Sequence, residues 1–526
     1  MEENRMELFK REIQAAMRKA EKQVQITLDR DMNVPDAKPD MEKLIQNKGE
    51  VRLEEIEVMN DRIRVKGVLH YKGLYHTAEA GPMLSSLSGS FEIEEYINAD
   101  GIRSSDSVKV KAELDDLNVI MIHSRKLGIR ALITFSALVS ETKRIEGAVK
   151  AEGEGVEQLF SEVNLTQMTF HKRDTCRVKG EMTLAASKPN IHELIWDEVS
   201  LRNPEVRLLD GRIQVRGELF IFFLYSGEEE HVPIQHMEWE LPFVSEVNCP
   251  EARDGMIGNV HVFPGFCQLE VKPDEDGEER VLSMETILNL DMKGYEEERT
   301  VLLTDLYSTE KNITPTFSPF CYENLIVKNN AKTKVQRRIS LKGMQGRALS
   351  LIHMDGSIKI DETEQREDGI YVEGVILADL LLITDEDYHP LYGTTEMMPF
   401  SCLVEAKNIN SKDSYELEAG LEQIHGTMLD SDEMELKAVL SLDMIAFSSR
   451  EGKVITGYTE KPLDYEQIKQ IPGIGIYIAE KEEPVWNVAK AYSSTVELIR
   501  QMNQMEDSLV KAGQRILVMK KMKEVL

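Results

Sequence analysis

Alternation of apolar and polar positions dominates this chain, and one alternating phrase occurs three times. Asp61-Arg62-Ile63-Arg64-Val65-Lys66-Gly67-Val68 returns as Gly211-Arg212-Ile213-Gln214-Val215-Arg216-Gly217-Glu218 and again as Gly369-Ile370-Tyr371-Val372-Glu373-Gly374-Val375, at offsets of 150 and then 157 residues. Each phrase predicts a half-buried strand, because strand side chains point alternately to two faces, with a bulge or close backbone approach at the closing Gly. Lys38-Pro39-Asp40-Met41-Glu42-Lys43-Leu44-Ile45 and Lys188-Pro189-Asn190-Ile191-His192-Glu193-Leu194-Ile195 keep the same 150-residue offset. The third copy offers Ala348-Leu349-Ser350-Leu351-Ile352 instead and is the divergent member. Aliphatic runs with period-two stretches recur at Phe91 to Ile97, Leu241 to Val247 and Phe400 to Val404, and at Arg130 to Phe135, Val281 to Leu288 and Leu436 to Leu442. A period this long means tandem domains, since solenoid repeats are much shorter. The pattern therefore predicts three mostly antiparallel β domains, sandwich or barrel, over residues 25–150, 165–310 and 325–460.

Both ends break the alternation. Leu8, Phe9, Ile13, Met17 and Ala20 fall mostly at three- and four-residue steps, which predicts an N-terminal helix over residues 1–24. At the other end, Ile476-Tyr477-Ile478 and Ile516-Leu517-Val518 flank two helical patterns. Pro484 suits a helix start, Val485, Trp486, Val488, Ala489 and Tyr492 recur at helical spacing, and Ser494 or Thr495 can cap a second helix carrying Val496, Ile499 and Met502. The predicted order over 476–520 is strand, helix, helix, strand, with 461–475 as a linker that sets the reach of this unit.

This terminal stretch of about 45 residues resembles a LysM domain. The resemblance is carried by the Tyr477 strand, Trp486-Asn487-Val488-Ala489, Tyr492, Leu498, Asn503, Leu509 and Gly513-Gln514-Arg515-Ile516. Where typical members carry Gly-Asp-Thr, this chain reads Glu482-Glu483-Pro484. The loop forms one wall of the groove in which glycan-binding members hold N-acetylglucosamine polymers, and side chains there limit how closely ligand and backbone can meet. The resemblance thus implies a groove turned to a protein partner. Its expected contact and support residues are Tyr477, Glu482, Glu483, Trp486, Leu509, Val510, Lys511 and Gln514. The competing expectation is a protein that binds peptidoglycan or an N-acetylglucosamine polymer.

Composition narrows the partners. A chain of 526 residues with 41 % hydrophobic residues has enough apolar surface for real cores, and a formal charge of −30 argues against nucleic acid or anionic membrane as main partner. Lys511, Arg515, Lys520, Lys521 and Lys523 make the C-terminal end locally basic. No signal-peptide order and no run of 18 apolar residues stands in the sequence, so a cytoplasmic protein without membrane insertion is expected. Its five cysteines are scattered without a CxxC, which points to neither a disulfide framework nor a zinc site.

Catalytic patterns are lacking as well. His231 and His236 are five apart, which alternation would put on opposite faces, and His261 stands further on. His70 has Phe220 and Leu377 at the same offsets in the other copies. Runs such as Glu228-Glu229-Glu230 and Glu296-Glu297-Glu298 read as solvated faces. Ser88-Gly89-Ser90 and Ile471-Pro472-Gly473-Ile474-Gly475 lack a P-loop or dinucleotide context, and the sequence has no Gly-x-Ser-x-Gly elbow and no Gly-x-x-x-x-Gly-Lys. A non-enzyme with no catalytic residues, metal or cofactor is expected.

Three such β domains followed by one LysM resemble the SPOCS-domain coat morphogenetic proteins of spore-forming anaerobes, through domain order and the repeated Ile-x-Val-x-Gly strand. What that resemblance implies is a mother-cell scaffold at the forespore surface. Its LysM would bind the spore coat morphogenetic ATPase, and the chain would recruit other coat proteins, with the β domains as spacers and further docking surfaces.

Overall fold

The computed structural model describes residues 6–78, 83–227, 234–344, 346–463 and 472–521, the side chains of 14–17 and 142–143 excepted. His231, the Glu228-Glu229-Glu230 run, Lys523 and residues 464–471 of the expected linker lie outside the described residues. Each repeat folds as six strands in two three-stranded antiparallel sheets. The first comprises β1 (Glu7–Asn33), β2 (Met41–Met59), β3 (Arg62–Thr77), β4 (Leu84–Asn98), β5 (Ser107–His123) and β6 (Lys126–Glu152), in sheets ordered β1-β6-β5 and β2-β3-β4. The second repeats this with β7 (Val156–Thr183), β8 (Ile191–Leu209), β9 (Arg212–Gly227), β10 (Gln235–Asn248), β11 (Ile257–Pro273) and β12 (Glu279–Ser308). The third does so with β13 (Asn312–Ser340), β14 (Ala348–Arg366), β15 (Gly369–Thr384), β16 (Leu391–Glu405), β17 (Ser414–Met428) and β18 (Glu433–Lys461). Alternate apolar residues, such as Ile63 and Val65 with Ile133 and Phe135 in the first repeat, fill each sandwich.

The repeated Gly has a steric cause. A Cβ at Gly67 would lie 2.5 Å from the Arg52 carbonyl oxygen, and one at Gly374 2.3 Å from that of Lys359. Both oxygens stand beside a bulge on the neighbouring strand, Leu53/Glu55 and Ile360/Glu362, which brings that backbone too close for a side chain.

The N-terminal segment corrects the expected helix: Glu7–Asn33 is a 27-residue strand paired along its length with β6. Its bulges at Phe9/Lys10 and Arg18/Ala20 interrupt the two-residue period. The three-residue step from Met17 to Ala20 spans the second bulge, so a broken strand pattern imitates a helical one. Long-range pairing overrides local spacing here. Residues 151–164 and 311–324, outside the expected domains, are likewise mostly strand, so the repeats follow one another with almost no linker.

These long outer strands continue past each sandwich as two-stranded ribbons, and the three ribbons pack on one another. Met6, Val156 and Ile313, related by the offsets of 150 and 157, meet in one cluster with Ala148, Leu303 and Ile455. Ile13, Val163 and Phe320, matched by the same offsets, meet in another. Leu74, Leu224 and Leu381, again matched, share a third cluster elsewhere in the fold. Matched residues that contact each other define an approximate three-fold axis, so the repeats close around a centre instead of forming a string. A cavity of about 1200 Å³, lined from all three repeats, includes the matched set Lys111, His261 and Glu418.

On the axis a single buried carboxylate collects the repeats. Glu198, 8 % exposed, accepts from Trp196 Nε1 at 2.7 Å, from His353 Nε2 at 3.1 Å, from Gln46 Nε2 at 3.5 Å and from the Lys48 ammonium. Lys48 also reaches Asp355 at 3.0 Å. Gln46, Trp196 and His353 occupy one matched position, and Lys48, Glu198 and Asp355 another. Burial opposes ionisation of Glu198, yet the Lys48 charge and the His353 hydrogen bond hold its carboxyl well below the usual range. Burial likewise opposes a charge on His353, but hydrogen bonds to Glu198 and Glu238 raise its pKa above the ordinary value, with the Glu198 and Asp355 charges adding to the effect.

Glu198→Ala leaves Lys48 and His353 without their shared acceptor and is expected to destabilise the chain by about 3–5 kcal/mol, read as a lowered denaturation midpoint. Because the folded pKa of His353 is raised, its contribution is complete below about pH 6.5 and is lost as pH rises through the folded value. The stability difference between wild type and His353→Gln should therefore shrink between pH 6 and 9 in urea titrations.

Candidate partner-binding surface

The chain ends in a βααβ unit: β19 (Ile474–Ile478), a two-residue β20 (Glu483–Pro484), α1 (Val485–Ala491), α2 (Val496–Asn503), a two-residue β21 (Leu509–Val510) and β22 (Arg515–Met519). β19 pairs antiparallel with β22, and β20 with β21. Pro484 is the N-cap residue of α1 in extended conformation, and the Thr495 hydroxyl caps α2 by accepting from Leu498 N at 3.1 Å. Asn503 ties α2 to the sheet: Nδ2 donates to Ile499 O at 2.8 Å and Leu517 O at 2.7 Å, while Oδ1 accepts from Leu517 N at 2.6 Å. Gly513, at φ +78°, turns the chain into β22.

The eight expected site residues separate into three groups. Glu482, Leu509 and Lys511 are exposed, on two loops brought side by side where Glu483 faces Val510 and Pro484 faces Leu509. Tyr477, Glu483 and Gln514 are half-buried and already paired within the unit. The Tyr477 hydroxyl donates to the Glu483 carboxylate, which together with burial pushes its pKa up to about 12, and its ring meets Tyr492 edge-on at 5.8 Å. Gln514 Oε1 accepts from Lys511 N at 2.9 Å. Val510 and Trp486 are buried, at 0 % and 6 % exposure, and present nothing outward.

An open apolar row on the terminal unit was not among those eight. Ile474, Ile476 and Ile478 alternate out of β19 with 64, 67 and 53 % exposure, opposite Met519, Leu517 and Arg515 of β22. Alternation in Ile474-Gly475-Ile476-Tyr477-Ile478 was visible in the sequence. That α1 and α2 cover the Tyr477 side and leave the isoleucine side bare is a matter of tertiary packing.

Other candidate chemistry stays dispersed. His236 and His261 lie on different sheets of the second repeat, and His70 Nδ1 is 3.0 Å from the Ser90 hydroxyl. All five cysteines are free. Among the described residues no group of three His, Cys, Asp or Glu side chains is placed to hold a metal, and no helix is long and apolar enough to cross a membrane.

A family model described as SipL, SPOCS domain, matches residues 40–122, 190–272 and 348–429. The chain is a SipL-like SPOCS-domain protein. That ties it to the coat proteins of sporulation, in a family of non-enzymatic proteins. Each SPOCS match runs from around the start of the second strand of its repeat to about the end of the fifth, so the long outer strands that build the ribbons lie outside it. The family match does not extend to the terminal βααβ unit. No curated protein and no solved structure matches the chain significantly.

Asn503→Ala in the full chain removes three side-chain hydrogen bonds, two of them between α2 and β22 and one within α2, and is expected to destabilise the terminal unit by about 1–3 kcal/mol. The check is faster hydrogen exchange at Leu517 N, with exchange in the three SPOCS repeats unchanged.

Proposed function

We propose that this SPOCS protein is a non-enzymatic, cytoplasmic scaffold of spore coat assembly, acting in the mother cell at the forespore surface. Its terminal unit, read as a LysM domain, captures the coat morphogenetic ATPase, and the chain thereby brings other coat proteins to the forespore. The observation that supports this reading is the row of three bare isoleucines on β19. Exposed apolar residues in a contiguous row are the usual sign of a protein-binding surface. Arg515 stands opposite Ile478 at one end of the row and supplies positive charge beside it for an acidic partner. The loops that would form the walls of a sugar groove are joined instead through the pairing of Glu483 with Val510 and Pro484 with Leu509. That joining favours a protein surface over a glycan polymer.

Ile474→Glu with Ile476→Glu places charge in the centre of the apolar row while altering only exposed positions, so the fold is expected to keep its stability within about 0.5 kcal/mol. Capture of the purified coat ATPase by the full chain should weaken at least tenfold, as for loss of an interface centre. Capture that survives the substitution, together with sedimentation of the wild-type chain on purified peptidoglycan, would replace this reading by the glycan one.

A further inference from the structure

The terminal unit is seated on one of the three ribbons by a specific set of side chains. Trp486 Nε1 donates to Asp305 Oδ2 at 2.7 Å, and Lys490 Nζ reaches both carboxylate oxygens of Asp305 at 2.7 Å. The Tyr307 hydroxyl donates to the Ser494 carbonyl oxygen at 2.7 Å. The Tyr307 and Trp486 rings meet edge to face at 4.9 Å, leaving them 5 % and 6 % exposed. Burial raises the Tyr307 pKa, so its hydroxyl remains a donor at any physiological pH.

The three ribbons would offer three equivalent seats if their side chains matched, but they do not. Asp305 faces Leu159 across the second ribbon, and the corresponding pairs are Lys150 with Phe9 in the first and Gly457 with Thr316 in the third. Tyr307 corresponds in the same way to Glu152 and Thr459. Lys150 would repel Lys490 and cannot accept from Trp486, while Gly457 has no side chain at all. The second ribbon alone carries both the acceptor and the ring. Connectivity does not explain the choice, because the chain leaves the third ribbon at Lys461, the end of β18, before reaching this unit.

We propose that Asp305 and Tyr307 form a docking site that holds the terminal unit in one orientation on the second ribbon. Trp486 and Lys490 are the positioning residues that fill it, not contacts for the partner. The helices then face the ribbon, and the isoleucine row of β19 is presented outward at a fixed place on the three-fold body. Where this rests on the partner reading above, its consequence is affinity: a held surface loses less freedom on binding than one swinging on a tether.

The test uses the full chain with genetically encoded spin labels at the exposed Glu506 and Lys453, which leaves the five native cysteines untouched. The wild type should give one narrow distance distribution by pulsed electron resonance. Lys490→Asp, an exposed helix position whose change does not threaten the fold, should broaden it by setting two carboxylates face to face. Tyr307→Ala should broaden it too, and Asp305→Lys combined with Lys490→Asp should narrow it relative to Lys490→Asp alone by restoring the ion pair in reverse, though without the Trp486 hydrogen bond. An unchanged narrow distribution in both Lys490→Asp and Tyr307→Ala overturns the dock. The Ile474→Glu, Ile476→Glu chain should keep the narrow distribution and lose partner capture. If it keeps both, the partner reading fails while the dock stands, so the two ideas can fall separately.

Discussion

The buried carboxylate of Glu198 is the constraint on which the arrangement of the repeats depends. Removing a carboxylate from water is expensive, and it persists only where donors replace the lost hydration. Its donors come from Gln46 and Lys48 of the first repeat, Trp196 of the second and His353 of the third. No one repeat supplies enough of them, so the carboxylate is satisfied only when all three are closed around the axis. Phe222 stacks on His353 at 3.9 Å, sealing this polar knot beside an apolar cap.

Sequence divergence among the repeats then has a physical meaning. At one matched position the three carry Lys48, Glu198 and Asp355, and at another Lys109, Asn259 and Glu416, with Lys109 and Asn259 each 3.3 Å from Glu416. The first repeat contributes the base and the third the acid. Three identical repeats would place like charges on the axis and repel, so the differences specify both the partners and their order around the ring. Buried polar groups used in this way fix geometry more than they add stability.

For the proposed function, the closed body changes what the terminal unit is. Three β domains on a string with a linker would act as spacers, and the reach of the unit would follow from chain length. Instead the unit sits against Asp305 and Tyr307 of a six-strand bundle, with one face spent on that contact and the isoleucines of β19 left to solvent. A scaffold of this kind presents the isoleucine row from one place on the body, and its large acidic surface is free to meet other proteins.

Much of this was legible in the chain and some was not. The Ile-x-Val-x-Gly phrases, their offsets, the Thr495 cap and the βααβ order depend on local periodicity and capping, which the amino-acid sequence alone determines. The Gly at 67 and 374 also declared itself, since only a missing Cβ tolerates a carbonyl oxygen so near. The N-terminal strand did not, because bulges in β1 disguise its period and its partner β6 is distant in sequence, from Asn33 facing Lys126 to Glu7 facing Glu152. Trp486 looked like support for a groove. Its actual partner, Asp305, has no signature, being one acid among many until a ribbon brings it within reach of an indole. What only the tertiary structure decided is therefore which matched residues meet on the axis and which face of β19 stays bare. Both depend on contacts between distant segments, and periodicity carries no information about the far side of a contact.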